Sequence, residues 1–159
     1  MTQARPHSRR RIAALEGRRR RNMRQLLLAA SRLVNRHIVE KMRSRGYPHL
    51  RSTHTALLSN IDLAGSSVTA AAERAGITKQ AMGRLAAELE AVGYLRVDAD
   101  QDDARVKLLR LTDKGHRLMI DSFEVMTELE RRYGEVMGVA RLRALQRDLL
   151  AFIEEFQGK

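Results

Sequence analysis

VTAAAERAGITKQAMGRLAAELEAVGYLRVDADQDDARVKLLRLTDKG, residues 68–115, reads as two short helices joined by a sharp turn and followed by a two-stranded hairpin. Thr69 is the expected N-cap of the first helix, its side-chain oxygen accepting an amide of the first turn, and Gly76 closes that helix where φ turns positive. Thr78 is the expected cap of the second helix. The interval between Gly76 and Thr78 admits only a tight turn, so the two helices must cross steeply. Gly93 ends the second helix, YLRVDA (94–99) starts a strand, and a return strand runs from about Arg105 to Thr112. In this order the elements lay out a winged helix-turn-helix, in a chain that is otherwise mainly α.

The second helix has two faces. Ala81, Leu85, Leu89 and Val92 recur at intervals of four and three and mark the core side. Gln80, Gly83, Arg84, Ala87 and Ala91 collect on the opposite side, with Lys79 beside them at the N-terminus. A helix built for a solvated surface carries long charged residues there, whereas small residues at Gly83 and Ala87 let the helix axis approach a groove floor. Gln80 and Arg84 are one turn apart, and their types make paired hydrogen bonds to adenine and guanine edges. Thr78 and Lys79, at the helix start, suit phosphates. The same face also reads as an ordinary polar surface on which Arg84 pairs with Glu88.

On the hairpin, Arg105 and Lys107 share a strand face and are candidates for the minor groove and backbone. Asp100 and Asp103 are candidates to hold the Arg105 guanidinium by paired hydrogen bonds. Leu108 and Leu109 break the alternation, and pattern alone does not say which is buried. Asp98, Asp100 and Asp102 mimic the opening of a calcium loop. Its sixth position, however, needs Gly and has Asp103, and its twelfth needs Glu and has Leu109, so no metal site is expected.

Composition points the same way. The chain has 159 residues, enough for one ordinary domain, and no run approaching ~18 apolar residues, so neither a membrane span nor a signal-peptide core is expected. A cytoplasmic, nucleoid-associated location follows. The absence of cysteine removes disulfides, thiolate nucleophiles and Cys-ligated zinc. A formal charge of +11 calls for an anionic partner. Most of it sits in residues 1–22, where eight arginines face one acid, Glu16; the remainder has 22 basic and 18 acidic residues. Blocks such as RRR (9–11) and RRRR (18–21) repel one another and bury nothing, so this arm is expected to be disordered until an anion neutralises it. Three readings stay open for it: a DNA arm, a solvated tail, or an upstream-extended start before Met23.

Residues 23–159 form the single expected domain, with the winged segment at 50–112. Met23, Leu26, Leu27, Ala30, Leu33, Val34, His37, Ile38 and Met42 make one helical stripe over 23–45 that Gly46 and Pro48 end. A shorter helix is expected from Ser52 to Ile61, followed by a turn at Gly65–Ser67. Past Gly115, Leu118, Ile120, Phe123, Met126, Leu129, Tyr133, Val136 and Met137 form a second long stripe. After a break at Gly138, Leu142, Leu145, Leu149, Phe152, Ile153 and Phe156 form a third. The wing domain is too small to cover these stripes, so the helices at 23–45 and 113–157 are expected to bury one another across a homodimer. His37 and His116 read as ordinary helix histidines.

AERAGITKQAMGRLAAELEAVGYL followed by DQDDARVKLLRLTDKG resembles the multiple antibiotic resistance regulator (MarR) family of bacterial transcription factors. The resemblance is close over 68–115 and, with the flanking helices, extends over 22–157. It makes Arg105 the wing-tip arginine, Asp103 the acid before it, and Leu111, Thr112 and Gly115 the residues that leave the wing. Gln101 stands where proline is common, Ala104 where a second arginine is common, and Ala70 and Ala71 where larger residues are usual. The resemblance implies a two-fold dimer on double-stranded DNA, acting as a repressor on an inverted repeat whose half-sites lie about 10 bp apart. It also implies a small aromatic or anionic effector, for which Tyr47, His49, Arg51 and His54 are the candidate residues; a surface loop around Pro48 explains them equally well.

No phosphate loop, G-x-S-x-G or H-E-x-x-H is present, so neither catalysis nor a cofactor is expected. The alternatives to a regulator are a nonspecific nucleoid or RNA-associated protein driven by the arginine arm, and an interaction module that has lost DNA binding.

Overall fold

The computed structural model describes residues 22–99 and 106–157, and the chain divides into two units, Met1–His37 and Ile38–Lys159. Helix α1 (Met23–Ser44) runs through both. In the first unit its described residues leave Met23, Leu26, Leu27, Leu28 and Leu33 exposed. In the second, Val39 and Met42 enter the core. Lys41 pairs there with Glu128 at 2.7 Å, and Arg45 pairs with both Glu124 and Glu128 on a later helix.

The helix expected over 52–61 is shorter. A 3-10 turn (Ser52–His54) leads into a single helical turn, α2 (Thr55–Leu58). Asn60 ends it by turning its side-chain amide back to the Ala56 carbonyl at 2.9 Å, a local bond that competes with further helix. Leu57, Leu58 and Ile61 are buried.

Ser66–Ser67 is not simply a turn but a short strand, β1, pairing with the return strand. Arg74 fixes this corner by donating to the Asn60 carbonyl at 2.7 and 3.0 Å and to Ser66 Oγ at 2.7 Å. Helix α3 (Val68–Ala75) therefore begins earlier than expected, and its N-cap is Ser67, whose hydroxyl oxygen accepts from the Ala70 amide. Thr69 lies inside the helix. Gly76 takes the expected left-handed conformation at φ +64°, and Thr78 caps α4 (Lys79–Ala91) by accepting from the Ala81 amide at 3.1 Å.

The wing is β2 (Leu95–Ala99) and β3 (Lys107–Leu111), giving a three-stranded antiparallel sheet of order β1-β3-β2 rather than a bare hairpin. Leu95 faces Leu111 and Val97 faces Leu109, so their side of the sheet is the core side. Leu109 is fully buried and Leu108 is on the other face, which settles the ambiguity of the leucine pair.

Thr112 then caps α5 (Asp113–Met137), accepting from the Gly115 amide and donating to the Gly93 carbonyl at 2.7 Å. Gly115 must be glycine because a Cβ there would lie 2.1 Å from the Tyr94 carbonyl oxygen. The L-T-x-x-G exit of the wing is thus a packing device that presses the start of α5 onto the end of α4. Gly138, at φ +89°, breaks the chain before α6 (Val139–Gln157), in which none of residues 139–156 is buried.

Candidate nucleic-acid interface

Helix α4 buries Met82, Ala86 and Leu89, while Ala81, Leu85 and Val92 are only half covered. The core side is therefore rotated from the expected one. The sequence pattern favoured the branched aliphatics, and the fold instead puts Met82 at its centre.

The opposite face is as expected. Thr78, Lys79, Gln80, Arg84, Ala87 and Ala91 are exposed, and Gly83 is half exposed. Glycine costs a helix interior about 0.5–1 kcal/mol relative to alanine. Nothing among the described residues requires it, since a Cβ at Gly83 would meet none of their atoms within 4 Å and the backbone there is not left-handed.

A cavity of about 590 Å³ separates α4 from the wing. Lys79, Gly83, Ala87 and Glu90 line one side; Val97, Asp98, Ala99 and Lys107 line the other. Lys107 pairs with Ala99 at the last described position of the ladder, so it stands across this trough from Lys79. β2 is an edge strand, and its outward Val97 amide is satisfied by Glu90 of α4 at 2.9 Å. This bond fixes the wing against the helix. On the far face of the sheet, Asp98 forms ion pairs with Arg96 at 3.1 Å and Arg110 at 3.4 Å, which engages the first acid of the calcium-like series with arginines. Among the described residues no group of three His, Cys, Asp or Glu side chains is placed to hold a metal ion. Arg105, Asp100 and Asp103 lie outside the described residues, as does the arm before Asn22.

The four candidate effector residues diverge. Tyr47 is buried against Tyr94, with ring centroids 6.0 Å apart, and its hydroxyl donates to Asp121. Burial, then the hydrogen bond to the carboxylate, pushes its phenol up to about 12. His49 is exposed. Arg51 and His54 both turn to Glu88 of α4. His54 is 1% exposed; its Nδ1 accepts from the Arg51 amide at 3.3 Å, which leaves the Nε2 proton to be donated to Glu88 at 3.0 Å. Arg51 Nη2 reaches the same carboxylate oxygen at 3.0 Å. The His54 hydrogen bond, with help from the nearby arginine charges, holds the Glu88 carboxyl below the usual range.

In the sequence, Glu88 reads only as a partner for Arg84. No ion pair to Arg84 forms among the described residues. His54 and Glu88 are 34 positions apart, and no local spacing announces a contact at that range. Glu90 and Asp121 escaped for the same reason.

The model of the MarR family matches residues 50–106, from the turn before α2 to the start of β3. Over that segment the winged helix-turn-helix of this chain is similar to the MarR family. Solved MarR-family structures share its fold. The chain is similar to the transcriptional repressor CouR bound to a 23-mer DNA duplex, at TM-score 0.66 and 22% identity, covering 82% of this chain and 92% of that one. It is similar to apo MarR from E. coli at TM-score 0.69 and 14% identity, covering 83% and 97%. A MarR-family transcriptional regulator from a Rhodococcus species matches at TM-score 0.65 and 22% identity, covering 80% and 89%. No curated protein matches the chain in sequence. Among the described residues no helix is long and apolar enough to cross a membrane.

Proposed function

We propose that this MarR-family chain is a sequence-specific regulator of transcription that binds double-stranded DNA as a homodimer and represses by occupying an inverted repeat. Helix α4 enters the major groove. Gln80 and Arg84 read base edges, Thr78 and Lys79 hold phosphates, and the strand of backbone beside the groove lies in the trough between Lys79 and Lys107. The carrying observation is Gly83: a glycine that packing among the described residues gives no reason to keep, centred on an exposed polar helix face. Close approach of another molecule explains it. In this reading Arg105 reaches the flanking minor groove, with Asp100 and Asp103 as its supports.

Exposed apolar side chains support the dimer. Phe123 and Val136 of α5 and Phe156 of α6 are 76%, 82% and 69% exposed, and the α1 residues Leu26 and Leu27 are also uncovered. The terminal helices, 23–45 and 113–157, are the dimerisation elements, and 50–112 is the DNA-binding element.

The test is selection of binding sites from fragmented genomic DNA at near-physiological salt, with the full chain and with a version starting at Met23. Enrichment of one inverted repeat by both supports the proposal and makes residues 1–22 an accessory. Bulk binding that needs the arm and enriches no sequence replaces it with nonspecific nucleic-acid binding, whose salt dependence is steep and whose preference for any site is small.

A further inference from the structure

Arg84 and Glu88 are one turn apart on α4, close enough for an intrahelical ion pair that would pull the guanidinium down along the helix. The structure gives Glu88 to other partners. The turn at 51–54 closes on itself through the His54 amide to the Arg51 carbonyl at 3.0 Å and the Arg51 amide to His54 Nδ1. Closure of this turn aims both side chains at one oxygen of Glu88, each at 3.0 Å. His54 is enclosed and has both ring nitrogens engaged, so it is fixed; Arg51 is 57% exposed and can be removed without opening the core.

We infer that Arg51, with His54, is a positioning residue for DNA recognition: by occupying Glu88 the two keep the Arg84 guanidinium available to a base edge. The inference rests on the proposed base-reading role of α4. Without Arg51, Glu88 keeps the His54 hydrogen bond but loses the guanidinium 3.0 Å from its carboxylate, and the carboxylate competes with DNA for Arg84. An exposed pair of this kind has a modest free energy, so the expected effect is about three- to fivefold in affinity.

A double-mutant cycle tests it, with the duplex most enriched in the selection above and a scrambled duplex of the same composition as probes. Arg51→Ala is expected to weaken operator binding about three- to fivefold, Glu88→Gln to leave it within about twofold, and Arg51→Ala with Glu88→Gln to bind like Glu88→Gln alone. Rescue by removal of a charge two partners away is not expected of a contact between Arg51 and phosphate, nor of a general loss of fold. An equal loss from Arg51→Ala in both backgrounds, or no loss in either, overturns the inference. Thermal unfolding of each variant shows whether the fold is intact, and both replaced side chains are exposed enough for it to be so. Arg84→Ala separates the two layers: if it leaves the preference for operator over scrambled duplex unchanged, the base-reading role of α4 has failed and the positioning role falls with it. If Arg84→Ala relaxes that preference but the cycle shows no coupling, only the positioning role fails.

Discussion

Gly83 and Tyr47 set opposite demands at the scale of single residues. At Gly83 the helix would gain from a methyl group and the space for it is open, so Gly83→Ala is expected to stabilise the fold by about 0.5–1 kcal/mol. The same methyl stands on the face proposed to approach DNA, and operator affinity is expected to fall while the thermal midpoint rises. A variant that gains stability with no loss of affinity would remove the main support for that face. Tyr47 belongs to the core. Folding raises its phenol from 10.0 to about 12, chiefly through burial and then through the bond to Asp121. The neutral form is the one the fold prefers, so this stabilisation is whole below pH 10 and is lost as pH rises through about 12. Tyr47→Phe is expected to cost about 1–3 kcal/mol at neutral pH and to flatten the alkaline loss of stability, measured by denaturant unfolding across that window. Tyr94 and Tyr133 are also raised by burial, so a residual slope will remain in the variant.

Elements were legible to the extent that local rules decide them. The Gly76 turn, the Thr78 cap, the Gly93 stop and the Gly138 break were readable because each depends on a few adjacent residues. The start of α3 was misread, since Ser67 and Thr69 are both competent caps and only the pairing of Ser66–Ser67 with β3 selects the earlier one. Ser67→Ala is accordingly expected to cost about 1 kcal/mol, and Thr69→Ala less than about 0.5 kcal/mol, by urea denaturation. Equal costs would mean that the cap is shared. The buried face of α4 was misread for a similar reason: periodicity ranks residues by type, but the angle at which α3 and the sheet meet α4 decides that Met82 rather than Leu85 is fully enclosed. Of the candidate interface, the α4 residues could be read from local sequence. The Glu90 clamp on β2 and the Arg51–His54–Glu88 cluster could not, because they join segments distant in sequence.

At the scale of the whole molecule, Leu118 and Leu129 of the α5 stripe are buried, while Ile120, Phe123 and Val136 of α5 and Leu150, Ile153 and Phe156 of α6 stay uncovered, and the dimer is the proposed solution. Replacing Ile153, 43% exposed on α6, with Glu would bury a carboxylate in that contact. A cost of about 3 kcal/mol corresponds to roughly a hundredfold weaker dimer, and sedimentation at micromolar concentration is expected to show monomer for Ile153→Glu and dimer for the parent chain. A parent chain that sediments as monomer would contradict the homodimer. By itself the amino-acid sequence determined the order of helices, turn and wing, the polar face of α4 and the surplus of positive charge, all of which follow from short-range propensity, periodicity and counting. The tertiary structure alone decided that Ser67 begins α3, that the wing has a third strand, that Tyr47 and His54 are enclosed and bonded, and that Glu88 is held by the 51–54 turn. The physical reason is that propensities act within a few residues along the chain, whereas burial and the partners of a side chain are fixed only when remote segments are packed against each other.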